Sequence, residues 1–419
     1  MKTKKYTHFS NNKTIKNKVG SLRPPKAVDS QRFPLGTLAL SKTCPLKKGG
    51  WIILTIRGNP YQRGFVHGFS LHLELKKVLK SFPIMIERSN HQSLNSYLEQ
   101  TNRIILPIVR QYFPEIYEEI VGIRDGSISA GTLISLEFLI GWNVFCSFDG
   151  IQMSKCSAFI STNGEKNIVM AHNTHSDLII GRLSYVILYI VPEQGFPFVM
   201  QTSPGLVWSS MDWWISQSGI IGCETTIADI NYKPHFGFPI FCRIRQAMQY
   251  GKTLDDYLTI LSNQNAGDYA CSWLLGDIRT GEIMRFEMGL YIYSIERTFD
   301  GVFYGMNGPF NAELRENETN NRDFYDIRTS IGHRNKRFGE LLGDGGKITI
   351  ENAKKIITDD YDLYLGKTGM NDRTIFRKTT INGRFYGSID AKVVDSEMAR
   401  NLEFLAKSRG PWTQIMPSI

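Results

Sequence analysis

The sequence has no apolar run that approaches the length of a membrane-spanning helix; Tyr185-Val186-Ile187-Leu188-Tyr189-Ile190-Val191 has the length of a buried strand. Its six cysteines (Cys44, Cys146, Cys156, Cys223, Cys242, Cys271) contain no CxxC pair, which excludes a zinc ribbon and a thioredoxin-type couple. No apolar segment follows the first lysines, so no secretory signal is read, and the expectation is a soluble chain, cytoplasmic by default, with reduced thiols. There is no internal repeat, no phosphate-cradling glycine loop and no nucleic-acid motif. His172 and His175, three apart in a strand-like run, point to opposite faces, so no shared metal is expected, and no cofactor either.

What the chain does have is length and an ordinary apolar content. With 419 residues, 42% of them hydrophobic, it can bury a substantial core as one large α/β domain or two tightly packed halves. Much of the formal charge of +9 comes from a tail holding Lys2, Lys4, Lys5, Lys13, Lys16 and Lys18, together with Lys47 and Lys48. Residues 1–50 read as a disordered basic lead-in. Such a tail can touch an anionic surface transiently, including a membrane, but a solvated chain end is the simpler account.

From Trp51 the pattern alternates between classes. Residues 51–56 form an apolar strand ending in the turn Arg57-Gly58-Asn59-Pro60. Helical spacing follows, with Phe65, Phe69, Leu73 and Val78 on one face and Gly64 and Gly68 one turn apart for close packing. A second helical region, 94–119, is read as interrupted at Pro107 and Pro114. Residues 51–155 are thus a mainly helical segment. Strands are expected at 157–162, 167–173, 184–191 and 197–202, helices at 240–250, 254–264, 350–358 and 396–407, and a polar surface connection with some helix from beyond Phe310 to about Arg337. Residues 156–419 are the β-rich part.

The chemistry centres on a hairpin. Cys156-Ser157-Ala158-Phe159-Ile160 and Asn167 to His175 flank a turn at Asn163-Gly164, so a thiol at the start of one strand faces imidazole, amide and hydroxyl groups at the end of the next. A lone cysteine is most often a small buried apolar residue, and its thiol needs a base to become a nucleophile. His172, Asn173, Thr174 and His175 are the nearby candidates. Asn265 is a candidate oxyanion donor, with helix capping the alternative, and Trp208 and Trp213 could line an acyl pocket or simply fill the core.

Cys156-Ser157-Ala158-Phe159 followed by His172-Asn173-Thr174 resembles the phospholipase B-like proteins and the acyltransferase/amidase family typified by penicillin acyltransferase, both N-terminal-nucleophile hydrolases. The likeness runs in order from Gly58-Asn59-Pro60-Tyr61 through Pro204-Gly205, Ser210-Met211-Asp212 and Glu224-Thr225-Thr226 to Asn265 and Trp273. The chain departs from it at His175, Ala270 and Cys271. The resemblance implies an α+β, four-layer αββα sandwich and self-cleavage between Lys155 and Cys156, giving pieces of roughly 18 and 30 kDa by residue share. Cys156 would be the nucleophile and its own α-amine the base. Asn173, Thr174 and His172 would position them, Asn265 would hold the oxyanion, and Trp208, Trp213, Arg245 and His175 would meet substrate. The expected partner is a small acyl substrate, a lipid ester first and an N-acyl amide second. The rivals are a non-catalytic binding module that keeps the fold and an uncut cysteine hydrolase using a histidine base. Oligomeric state stays open.

Overall fold

The computed structural model describes residues 46–48, 50–145, 156–343, 347–381, 384–402 and 412–415. The basic tail, Lys155 and residues 403–407 of the helix expected at 396–407 lie outside the described residues; of the rest of that helix, Ser396–Ala399 is helical.

The chain opens with β1 (Leu46–Lys48) and β2 (Trp51–Gly58), then five helices: α1 (Pro60–Ser70), α2 (His72–Asn90), α3 (Leu94–Tyr112), α4 (Pro114–Ser129) and α5 (Leu136–Val144). Asn59 accepts from the Gln62 N–H and Gln62 returns a bond to the Asn59 N–H, a capping box ahead of Pro60. Two expectations change here. The face containing Leu73 is broken because α1 ends at Ser70, and Leu73 points to solvent. Pro107 does not interrupt α3, which runs through it, whereas Pro114 begins α4 where a missing N–H costs nothing.

The β-rich part follows with β3 (Ser157–Asn163), β4 (Ile168–Asp177), α6 (Leu178–Gly181), β5 (Val186–Pro192), β6 (Phe198–Thr202), β7 (Trp213–Ser216) and β8 (Ile220–Thr226). Helices α7 (Ile240–Tyr250) and α8 (Leu254–Ser262) lead to β9 (Cys271–Asp277), β10 (Glu282–Met288), β11 (Tyr293–Thr298) and β12 (Asp300–Gly305). The chain closes with α9 (Ala312–Asn317), α10 (Ser330–Leu342), α11 (Ile350–Ile357), β13 (Tyr361–Asp362), β14 (Lys367–Thr368), β15 (Lys378–Ile381), β16 (Arg384–Asp395), α12 (Ser396–Ala399) and β17 (Trp412–Ile415).

Among the described residues the strands make two large sheets. One has nine strands in the order β1-β2-β5-β6-β7-β8-β9-β10-β11, and the other runs β12-β3-β4-β16-β15 with β17 on β16. The pairings between these strands are antiparallel except β2 on β5, whose long crossover runs through the five helices and the β3–β4 hairpin.

Side-chain alternation divides the core. Ile52, Leu54 and Ile56 of β2 join apolar residues of α1 to α5, α7 and α8, while Trp51 and Ile53 on the opposite face join Ile187, Val199, Trp213 and Ile221. Ala158, Ile160, Ile168 and Met170 of the second sheet complete that middle cluster. Phe159, Val169, Ala171 and Val393 face the other way, onto Phe338 of α10 and Ile356 and Ile357 of α11. The segment read as a surface connection is therefore partly core, because α10 covers the second sheet.

The glycine spacing in α1 has its counterpart in α4. A Cβ on Gly64 would lie 1.9 Å from the Glu119 carbonyl oxygen, on Gly68 2.0 Å from that of Ile123, on Gly122 2.3 Å from that of Tyr61, and on Gly126 2.1 Å from that of Phe65. The two helices touch backbone to backbone, and no side-chain rotamer can relieve such a clash. Gly68→Ala should lower stability by about 1–3 kcal/mol or more, read as a lower urea midpoint with unchanged slope.

Candidate active site

Cys156 sits one residue before β3, wholly buried, with its thiol turned between the two sheets. The hairpin register, Ser157 opposite Asn173 and Ala158 opposite His172, sets it beside the end of β4. Its thiol donates to Asp212 Oδ2 at 3.6 Å, and the main-chain N–H of His175 donates to its sulfur. Its carbonyl accepts from Arg334 Nη1 at 2.6 Å. That guanidinium also reaches Ser157 Oγ at 3.2 Å and Asn307 Oδ1 at 3.0 Å, with buried Arg377 contributing a further bond to Asn307. One guanidinium of α10 thus braces the residue, with Arg377 behind it on Asn307 and Ser330.

Asp212 comes from the other sheet, in the turn before β7, and has a left-handed backbone with φ 57°. Residues other than glycine adopt that conformation at a cost, and such positions gather at functional sites. Glu224 on β8 hydrogen-bonds Asp212 and accepts from Tyr269 Oη at 2.6 Å. Burial pushes the Asp212 carboxyl up to about 7, against the hydrogen bond from Glu224 and the nearby charge of Lys392. Burial and the charge of Asp212 raise Glu224 well above the usual carboxylate range, so Glu224 holds the proton the pair shares. Burial and the carboxyls beside it also raise the Cys156 thiol, opposed by the His175 N–H and Lys392. The resting sulfur is a thiol, and the carboxyl beside it is poised near neutrality.

A second group flanks them. Lys392 of β16, wholly buried, donates to Thr174 Oγ1 and Asp390 Oδ1, both at 2.7 Å, and to the Met211 carbonyl at 3.4 Å. Asp390 Oδ2 accepts from Gln201 Nε2 at 2.7 Å. Lys392 therefore ties the strand end carrying Thr174 to the turn carrying Asp212, linking the sheets by charge-assisted bonds. His172 places Nε2 3.1 Å from the Glu224 carbonyl, which makes Nε2–H the donor and leaves Nδ1 a buried acceptor without a partner among the described residues. Burial and Lys392 lower His172 well below its usual value, so its ring is neutral.

No protein-family model matches the sequence, and no curated protein matches it. Among solved structures, a variant of conjugated bile acid hydrolase from Clostridium perfringens is similar at 9% identity and a TM-score of 0.37, covering 57% of this chain and 86% of that one. A mutant of the same hydrolase gives 9% identity and a TM-score of 0.35, covering 57% and 85%.

Of the residues singled out in the sequence, the structure brings together Cys156, His172, Thr174 and the main chain of His175. The rest are placed elsewhere. Asn173 faces the opposite side of β4, where Nδ2 donates to the Ile357 and Ile375 carbonyls at 3.1 and 3.0 Å. Asn265 gives its amide to the Gly289 and Leu290 carbonyls and Tyr293 Oη, and its Oδ1 accepts from the Gly267 N–H. It holds a loop with all its donors used, so it is not the oxyanion donor in this arrangement. Trp208 and Trp213 are buried core residues. Arg245 is not at the site: it is buried in an ion pair with Glu119 of α4 at 2.8 Å, which Arg63 shares at 2.8 Å. Asp212, Glu224, Lys392 and Arg334 were missed. The Ser-x-Asp and Glu-Thr-Thr passages contain the first two; no local pattern marks the other pair.

The poised carboxyl has a consequence for stability. Because its folded value of about 7 lies above the ordinary 3.8, the folded chain holds this proton more tightly, so its contribution is full below about pH 4 and is lost as pH rises toward 7. The unfolding free energy from urea titrations should fall across that window, by up to about 1.4 kcal/mol per pH unit for this group. Asp212→Asn should flatten the slope.

Proposed function

We propose that this chain is a self-processing cysteine hydrolase of the N-terminal-nucleophile type, with its two sheets and flanking helices arranged as the αββα sandwich of that class. One observation carries the reading: the Cys156 thiol, at the start of an inner strand, donates to a carboxyl poised near neutrality. In the precursor, Asp212 takes the thiol proton and the sulfur attacks the Lys155 carbonyl. The acyl group passes from the Cys156 nitrogen to its sulfur, the nitrogen gains a proton, and water hydrolyses the thioester. Lys155 then ends one piece and Cys156, with a free α-amine, begins the other. That amine is the base for later turnovers, since its ordinary value lies near neutrality. Lys392, Thr174 and Arg334 hold the residue in register.

The bond cut in the precursor is an amide, so the first substrates to test are N-acyl amides, with phospholipid esters next. One observation favours a second reading: the bare Nδ1 of His172 could serve as base for an uncut thiol hydrolase. Intact mass and N-terminal sequencing of the purified chain separate the two. The first expects two pieces, roughly 18 and 30 kDa, the larger beginning Cys-Ser-Ala-Phe. A single chain after prolonged incubation at acidic and neutral pH overturns it; acyl hydrolysis by that chain, lost in His172→Ala, establishes the second.

A further inference from the structure

The buried layer between the sheets contains a second kind of chemistry. The Cys156 sulfur, a His172 ring nitrogen and an Asp212 carboxylate oxygen lie within 4.8 Å of one another, all buried. A zinc ion with Zn–S of about 2.3 Å and Zn–O of about 2.0 Å at a tetrahedral angle sets sulfur and oxygen about 3.5 Å apart. The Cys156 to Asp212 separation is 3.6 Å. Sulfur, imidazole nitrogen and carboxylate oxygen make a donor set that suits zinc-class ions and not magnesium or calcium.

A second observation points the same way. His172 Nε2 is committed to the Glu224 carbonyl, and Nδ1 is buried with no hydrogen-bond partner among the described residues. A buried acceptor left bare costs free energy unless something occupies it. The surrounding bonds are those a metal site needs: a carbonyl fixes the imidazole tautomer, Glu224 hydrogen-bonds the carboxylate ligand, and the His175 N–H donates to the sulfur.

We propose that Cys156, His172 and Asp212 bind one zinc-class divalent ion between the two sheets, leaving one coordination position open. Binding displaces the thiol proton and leaves Nε2–H of His172 on Glu224. The binding stands on these atoms alone; one consequence, arrest of self-cleavage because the sulfur is occupied, rests on Cys156 being the nucleophile.

The probe is Co2+, added to the full chain purified through a chelator and kept reduced with a phosphine. The expected result is a thiolate-to-cobalt absorption band that saturates at one ion per chain and is bleached by Zn2+. His172→Gln and Asp212→Asn should each weaken Co2+ binding at least about tenfold, since even outer partners of metal ligands carry that much. Cys156→Ala should abolish the band, while Cys242→Ala, on α7 in the helix-side core, should keep it. Circular dichroism checks each fold, with Cys156→Ser replacing the alanine variant if that one unfolds. No band in folded wild type, or a band that survives loss of the Cys156 thiol, overturns the proposal. Absorbance reads binding whether the chain is cut or whole, so failure of metal binding and failure of self-cleavage are separate results.

Discussion

Cys156→Ala is expected to leave a single chain of 47.8 kDa with no acyl-hydrolase activity, and Asp212→Asn to slow self-cleavage by about 10²–10⁴-fold. The alanine variant removes the attacking atom, so no other residue compensates. The asparagine variant keeps the size of the side chain next to the sulfur but removes its basicity, and the thiol is already held protonated by burial and neighbouring charge. The pH profile separates a base from a mere prop. In wild type the cleavage rate should rise with pH through about 7 as Asp212 ionises, then level. In Asp212→Asn the inflection near 7 should vanish, leaving a slower rate that climbs toward the thiol's own range. Time courses of intact mass at several pH values check both; an unchanged inflection in Asp212→Asn rules out the carboxyl as base.

Glu119→Gln should cost about 3–5 kcal/mol of stability, a loss comparable to the whole margin of many domains. Glu119 of α4 is buried, and its carboxylate accepts from Arg63 Nε and Nη2 at 3.1 and 2.8 Å and from Arg245 Nη1 and Nη2 at 3.2 and 2.8 Å. Replacing it with an amide leaves two buried guanidinium groups facing a neutral side chain. Glu115, the other acid of the cluster, is half-exposed and already binds Arg63 and Gln249. Urea denaturation followed by far-UV circular dichroism measures the loss. A shift below 1 kcal/mol would mean that the paired charges contribute little beyond their packing.

The parts of this fold legible in the sequence are those set by near neighbours. The hairpin around Asn163-Gly164 is visible because alternation and turn chemistry lie within twenty residues, and the helices from Pro60 to Val144 because apolar spacing and caps are local. Gly64 and Gly68 announced close packing, though not that Gly122 and Gly126 would receive them. The site was legible only at Cys156 and the end of β4. Asp212, Lys392 and Arg334 reach the cysteine from a turn, a strand and a helix far along the chain, and each alone looks ordinary. Asn265 and Arg245 misled for the same reason: amide and guanidinium side chains suit a pocket, but only the folded chain shows that loop carbonyls use up the amide and a carboxylate the guanidinium.

The strand β2 runs between β1 and β5, parallel to a partner that lies beyond Lys155 in the chain. A cut before Cys156 therefore falls outside the seam that would have to open. The piece ahead of such a cut would supply β1, β2 and five helices to a particle it could not leave without unzipping a sheet. Denaturing electrophoresis would count two polypeptides where gel filtration finds one body, and dilution would not part them. Cleavage there would change the connectivity of the chain, not its membership, and the new amino terminus would stay captive beside the groups that made it.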